Sequence, residues 1–549
     1  MDIDEILKKL LALRGVETEE DIREFLSDKP KKTYDPLLLP DMEEGADLIL
    51  SEIAAGSRIK IYGDYDADGI TATSLLMDVL GAIIGESSCE RLSYYIPSRF
   101  DEGYGLNSEA IRTIHDAGTD LIITVDCGSV SVEEVELAKE LGMKIVVTDH
   151  HNITDRQANC LLINPKRPDS VYPFKELSGV GVAFKLAQVL QRKSGKGKDI
   201  LTGVLDLVAL GTIGDIMPLI DENRTLVKFG LRAVNSGKRS GLRKLIEGAG
   251  LKIGEVSSEN VGFIIVPHIN AAGRIEDASL AVRLLAGRLG ESEEMKIVGE
   301  LLKKNRERKS LQNEAFKKCV AMGADGDFIL IRNDEVHEGI AGIVAGKIKD
   351  EYYRPSVIVM DTGKNGMLKG TGRSIDGVNL YLLLKKYEHL FEKFGGHAGA
   401  CGFSIKEENL TALKDGLLKD TSEMRACEPA LFERKYRVDL EMELDDISEE
   451  LCDSIELLAP FGSNNPKPSF SISGARIEEM RYLGENEQHM RLAISSDSGK
   501  IMGCFLFNKA DKFKGRIAVG DIVDIIARPE INIWQGRKRT NLILENIID

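Results

Sequence analysis

The sequence predicts an α/β protein: a parallel-sheet domain, a long connector helix, a smaller α/β domain and a C-terminal β-barrel of the oligonucleotide-binding type. Three observations carry this. First, the apolar runs Ile59–Tyr62, Leu121–Val125, Lys144–Thr148 and Leu161–Ile163 alternate with helix-like stretches, and strands apolar along their whole length are covered on both faces, as in parallel sheets. Second, Glu291 to Val320 reads as one long charged helix with an apolar stripe (Met295, Val298, Leu302, Leu311, Ala315, Cys319). Third, the period changes after about residue 430. Phe470-Ser-Ile-Ser, Met490-Arg-Leu-Ala-Ile-Ser and Ile501-Met-Gly-Cys-Phe-Leu-Phe alternate as half-buried strands do, and about five such strands suit a small barrel.

In chain order, residues 1–55 are expected to be a small helical cap packed on the parallel-sheet domain, with an amphipathic run from Ile6 to Leu13 and a loop at Asp35-Pro-Leu-Leu-Leu-Pro40. Residues 56–290 form the parallel-sheet domain. Ser131-Val-Glu-Glu134 is a capping-box pattern that opens a helix ending near Gly142. Pro218 stops the helical run from Thr202 just after Asp215. Pro267-His-Ile-Asn-Ala-Ala-Gly-Arg274 reads as a turn-like stretch holding His268, Asn270 and Arg274. The connector spans 291–322 and the second α/β domain 323–428. There Gly370-Thr-Gly-Arg-Ser374 and Gly395-Gly-His397 put Arg373, Ser374 and His397 among glycines, which let backbone approach a ligand. The barrel occupies 429–549, with Trp534 and Arg537-Lys-Arg539 in its last hairpin.

The chain has 549 residues, 43% of them hydrophobic, and a formal net charge of −17. That balance argues against a protein that coats nucleic acid non-specifically, though it leaves room for a local basic channel. Eight scattered cysteines without a Cys-x-x-Cys pair argue against disulfides and a thiolate zinc site. The acidic N-terminus and the lack of a long uncharged apolar run predict a cytoplasmic chain with no membrane span.

The chemistry lies at the strand ends. Asp64, Asp66 and Asp68 follow the first apolar run, Asp126 follows the second, and Asp149, His150 and His151 follow the third. Ligands of parallel sheets gather at the carboxyl ends of the strands, so these groups share one rim, and Asp215 can join them. Buried like charges call for a cation. Carboxylates with imidazole and no thiolate suit Mn2+ or Mg2+, and five or six such ligands with one shared acid can hold two ions against a phosphoester. Asp-x-Asp-x-Asp alone is as easily a solvated or calcium-binding loop; the other strand-end groups set that reading aside. Taken singly, Arg99, Arg274 and His268 are ordinary surface or structural residues.

Together, Asp64-Tyr-Asp-Ala-Asp68, Asp126-Cys-Gly128, Asp149-His-His151 and Gly214-Asp215 resemble the four motifs of the DHH phosphoesterases. The 370–374 and 395–397 stretches resemble the DHHA1 domain that accompanies them, and the domain order is similar to that of the RecJ-type exonucleases. The resemblance implies a two-metal Mn2+ or Mg2+ nuclease acting 5′→3′ on single-stranded DNA, in repair or recombination. Asp66, Asp68, Asp126, His150 and Asp215 would be metal ligands, with Asp126 bridging, and Asp64 matches the first acid of that motif. His151 would face the scissile phosphate and Asp149 would orient a histidine. Arg99, His268, Asn270, Arg274, Arg373, Ser374 and His397 fall in stretches that resemble those holding the DNA. The pyrophosphatase branch carries histidine four residues before the first acid of its Asp-x-Asp; here that position is Tyr62. A monomer working with a single-strand-binding protein or a helicase is expected. The rivals are a phosphodiesterase on short oligoribonucleotides or cyclic dinucleotides, and a non-catalytic Cdc45-like scaffold, though no ligand of the four motifs is missing.

Overall fold

The computed structural model describes residues 3–153, 156–275, 277–287, 289–364, 366–534 and 537–548. The chain divides into two compact units, the larger made of Asp35–Asp215 and Gly230–Arg434.

In the larger unit β1 (Ile59–Tyr62), β2 (Leu92–Tyr95), β3 (Leu121–Val125), β4 (Lys144–Thr148) and β5 (Leu161–Ile163) form one parallel sheet in the order β2-β1-β3-β4-β5. The apolar runs make strands because both faces are covered. Every residue of β3 is buried, whereas β2 is buried only at Leu92, and that mixed Leu-Ser-Tyr-Tyr pattern concealed it in the sequence. The strand order reverses between β1 and β3, which opens a crevice at their carboxyl ends.

The helix Ala67–Ile84 leaves β1 and is buried along most of its length, packed against the helices Gly179–Ser194 and Leu205–Gly214. The helix Ala67–Ile84 is apolar but carries Asp68 and Asp78, so it is not the long uncharged run that the sequence was expected to lack. By length and composition, Ala67–Ser87 is apolar enough to cross a membrane, yet 78% of that window is buried inside the protein. It is apolar because it is a core helix surrounded by other elements.

The 267–274 stretch is corrected. It is helical, Val266–Ile275, and comes directly after a π-helical turn at Val261–Ile265. Pro267 follows directly on the π-turn, inside a helical run continuous from Ser258, so its missing N–H falls where the helical hydrogen-bond pattern is already irregular. The connector helix, Glu291–Ala321, packs on the helices that precede it and on Glu338–Tyr352. Met295, assigned to its apolar stripe, is 54% exposed. The buried face instead runs through Ile297, Val298 and Leu301 into Lys304, Asn305, Arg308 and Gln312. Its middle is polar, so hydrophobic periodicity misreads it.

The second sheet contains β6 (Ile329–Arg332), β7 (Ser356–Lys364), β8 (Met367–Arg373), β9 (Phe391–His397) and β10 (Ala400–Lys406), in the order β6-β7-β8-β10-β9. Its glycine-rich stretches are strands. A Cβ at Gly370 would lie 2.1 Å from the Phe403 ring, so that glycine makes room for an aromatic side chain.

The smaller unit combines Met1–Tyr34, Ile216–Phe229 and Lys435–Asp549. Here β11 (Leu440–Glu441) flanks β12 (Phe470–Leu483), and β12, β13 (His489–Ser495), β14 (Ile501–Leu506), β15 (Ile522–Trp534) and β16 (Arg537–Ile548) close into a barrel through the β12–β15 pairing. The N-terminal cap therefore divides. Ile6, Leu10 and Leu11 bury into the barrel core, whereas Met42–Ala55 belongs to the larger unit. Arg224 clamps the inserted segment: its guanidinium lies 3.7 Å from the Phe25 ring centroid and donates to the carbonyls of Phe25, Leu458 and Ala459. The side chains of Trp534 and Arg537 lie outside the described residues.

Candidate metal centre and substrate cleft

Asp66 caps the helix Ala67–Ile84, its Oδ1 accepting from the amides of Asp68 at 3.0 Å and Gly69 at 3.2 Å. Gly69 has to be glycine, because a Cβ there would sit 2.6 Å from the Asp64 backbone. Asp68 lies one residue into that helix, and its carboxylate points at the N-terminus of the helix Gly179–Ser194. The amides of Gly179 and Val180 donate to its two oxygens at 2.7 and 2.8 Å. A helix N-terminus offers an acid free N–H groups and a favourable dipole. Gly179 and Gly211 leave room for the acids: a Cβ on Gly179 would lie 2.5 Å from Asp126 Oδ1, and one on Gly211 2.7 Å from Asp68 Oδ1.

Asp126 follows β3 in the left-handed conformation, φ +63. Few residues other than glycine adopt it, and asparagine and aspartate tolerate it best. His150 Nε2 lies 3.0 Å from Asp126 Oδ1, 3.5 Å from Asp215 Oδ2 and 3.8 Å from Asp68 Oδ2. Potential ligand atoms gather in three overlapping groups: Asp64, Asp66 and Asp126; Asp68, His150 and Asp215; and Asp126, His150 and His151. Among the described residues, the buried atoms Asp64 Oδ1, Asp126 Oδ1 and His150 Nε2 have no hydrogen-bond partner. Buried polar atoms left unpaired are costly, so this donor set fits hard divalent cations. Asp126, shared by two groups, is placed to bridge.

The electrostatics agree. Burial and the charges of neighbouring carboxylates hold Asp64, Asp68 and Asp126 well above the usual carboxylate range, and raise Asp215 to about 7. Burial pushes His150 down to about 3, which keeps its imidazole neutral and able to ligate. His151 goes the other way. Burial pulls it down, but its hydrogen bond to Asp149 and the surrounding acids outweigh this and hold it at about 9.

Asp149 belongs to none of the metal-sized groups among the described residues. Its Oδ1 accepts from the His150 and His151 amides and pairs with His151 Nδ1 at 2.8 Å, while its Oδ2 accepts from Ser129 N. It thus orients the exposed histidine of the pair, not the buried one. Tyr104, unnoticed in the sequence, donates to the Asp126 carbonyl at 3.1 Å and lies 2.9 Å from His151 Nδ1. The Pro97–Tyr104 stretch held it, but nothing local marks its role.

A cleft of about 660 Å3 opens beside this centre, lined by Tyr65, Arg99, Tyr104 and Arg274 on one wall and by Gly339, Gly342, Arg373 and Gly395 on the other. Arg99 stacks 4.1 Å from the Tyr65 ring centroid, and its Nε is buried without a partner. Arg274 donates to the Gly339 carbonyl and Arg373 to that of Gly372. Burial, joined by the charges of Arg99, Arg308 and Arg373, lowers Arg274 to about 9. The other four assigned substrate residues behave differently. His268 bonds to the Ile264 carbonyl at 2.6 Å and the Ser374 hydroxyl to that of Val378 at 2.6 Å, so both serve their own turns. His397 is exposed at the β9–β10 turn, accepting from Gly399 N. Asn270 keeps a buried Oδ1 without a partner. None of these four lines the cleft.

Buried acids short of a cation, on the rim of a parallel sheet and beside half-buried arginines short of an anion, define a divalent-metal phosphoesterase. Residues 58–212 match the DHH family N-terminal domain, 325–421 the DHHA1 domain and 438–546 the RecJ OB domain. The single-stranded-DNA-specific exonuclease RecJ of Bacillus subtilis is 38% identical over all of this chain and 68% of its own length; that of Escherichia coli is 31% identical over all of this chain and 96% of its own. The crystal structure of Thermus thermophilus RecJ in complex with Mn2+ is 28% identical, with a TM-score of 0.82 over 98% of this chain and 75% of that one. The chain belongs to the RecJ family of single-stranded-DNA-specific exonucleases.

Proposed function

We propose that the chain removes nucleotides from the 5′ end of single-stranded DNA by two-metal hydrolysis. Family membership makes it a metal-dependent exonuclease on single strands, with Mn2+ or Mg2+ as the cofactor. The observation that carries the two-metal reading is a pair of separate ligand groups, Asp64, Asp66 and Asp126 in one and Asp68, His150 and Asp215 in the other, with Asp126 Oδ1 3.0 Å from His150 Nε2 between them. Bound there, divalent metal supplies charge neutralisation and an activated water.

The chain's own groups do the rest. Asp126 reaches both halves of the centre. His151, paired with Asp149 through Nδ1 and within hydrogen-bond distance of Tyr104, stands beside the cleft and can donate to a phosphate oxygen. Arg99, Arg274 and Arg373 hold the backbone phosphates. Tyr65, under Arg99, offers a ring face at the mouth. The same reading places the chain in repair or recombination, as a cytoplasmic monomer supplied with single strands by a helicase or a single-strand-binding protein.

Single- and double-stranded 40-mers labelled at either end, with Mn2+, test this. Early release of a 5′-labelled mononucleotide from the single strand alone is expected. Early release of the 3′ label would overturn the polarity.

A further inference from the structure

Tyr62 ends β1 just before the metal-site loop and is no part of the ligand set. Its ring is fully buried and stacks on Tyr95 of β2, centroids 5.2 Å apart. The hydroxyl donates to the Gly105 carbonyl at 3.0 Å and accepts from Asn107 Nδ2 at 3.3 Å. Asn107 Nδ2 also donates to Glu102 Oε2 at 2.7 Å, while Asn107 Oδ1 caps the next helix through Ala110 N. The Tyr95 hydroxyl donates to the same Glu102 oxygen at 2.8 Å, and Glu102 Oε1 accepts from Ser98 N at 2.8 Å.

Two strand-end tyrosines and one carboxylate therefore tie down both ends of the 98–107 loop. Between the ties lie Arg99, against Tyr65, and Tyr104, against Asp126 and His151. The loop turns through Gly103 and Gly105, both at positive φ, +84 and +85, and closes on itself through bonds from the Glu102 and Gly103 amides to the Ser98 carbonyl.

We propose that Tyr62, Tyr95, Glu102 and Asn107 are positioning residues, a buried latch that sets Arg99 and Tyr104 against the metal centre. The hydroxyl of Tyr62 holds the far end of the substrate loop at Gly105 and Asn107. The inference rests on the reading of Arg99 as a DNA contact.

The test is a double-mutant cycle on 5′-labelled single-stranded DNA with Mn2+, in the full chain. Tyr62→Phe keeps the stacked ring and removes the hydroxyl. Loss of a buried hydrogen bond that orders a binding group should lower kcat/KM about tenfold, mainly through KM. In an Arg99→Ala background the KM part of the same change should shrink to less than about twofold, because that part acts through the arginine. Glu102→Gln, which loosens the latch from its other side, should show the same coupling. Mn2+ affinity by calorimetry and the melting temperature should stay near those of the native chain. Additive losses, a native kcat/KM in both Tyr62→Phe and Glu102→Gln, or losses that follow Mn2+ affinity would overturn the latch. A native KM in Arg99→Ala alone would instead overturn the DNA-contact reading beneath it.

Discussion

On the rim of the parallel sheet, Asp64, Asp68 and Asp126 are buried with one another and a neutral imidazole; on the cleft walls beside them, Arg274 and Arg373 make hydrogen bonds to backbone carbonyls. The two regions carry opposite charge imbalances. In the first, burial raises carboxyl groups; in the second, burial lowers guanidinium groups. Each lacks what a metal-bound phosphodiester chain brings: cations for the acids and anionic oxygens for the arginines. The difference also shows how a chain of net charge −17 handles a polyanion. The positive charge is local and half-buried, gathered on the cleft walls.

The largest expected effect breaks the acid side alone. Asp126→Asn should reduce hydrolysis by at least about a thousandfold while retention of single-stranded DNA in a filter assay persists. Loss of both together would mean the two regions do not divide the work. Arg373→Met breaks the other side. Removing one charge-assisted contact should raise KM roughly tenfold to a hundredfold with a smaller change in kcat. A fall confined to kcat would put Arg373 in the chemistry.

A third measurement sharpens the contrast through pH. In the metal-free fold Asp64, Asp68, Asp126 and Asp215 bind protons more tightly than in the unfolded chain. Their contribution is full at low pH and is lost as pH rises through the folded values, about 7 for Asp215. His150, neutral when folded, acts in the opposite sense, whereas His151, raised to about 9, acts with the acids. The chelated chain should therefore melt at lower temperature at about pH 8 than at about pH 6, and Mn2+ should restore more at the higher pH. A melting temperature independent of both would contradict the charge imbalance. The smallest effect is Ser374→Ala. Its hydroxyl bonds to Val378, so kcat/KM should change by less than about threefold. A large loss would return Ser374 to the substrate wall.

Much of the rim was readable because Asp126 and Asp149 directly follow, and Asp64 follows after one glycine, an apolar strand run. Asp64, Asp126 and Asp149 needed only the rule that parallel strands present their carboxyl ends together. The arginines were readable as candidates, but not which of them turn inward. Ser374 and His397 carry the same kind of motif signal as Arg373, and only the register of β8, β9 and β10 separates them. Tyr104, Gly179 and Gly211 were missed because their partners lie in other elements. The polar face of Glu291–Ala321 was missed because Lys304, Asn305 and Arg308 are buried against the helices around them, which periodicity cannot register.

The sequence alone determined the strand-end acids, the parallel sheet they belong to and the C-terminal barrel, since these rest on local patterning and chain order. Tertiary structure decided which acids converge on Asp126, that Asp149 serves His151, and that residues 1–34 belong with the barrel. Tyr62 marks the boundary. Its identity told the branches apart in sequence, but its work is a hydrogen bond to Gly105, 43 residues away, and such a bond exists only once the sheet has formed.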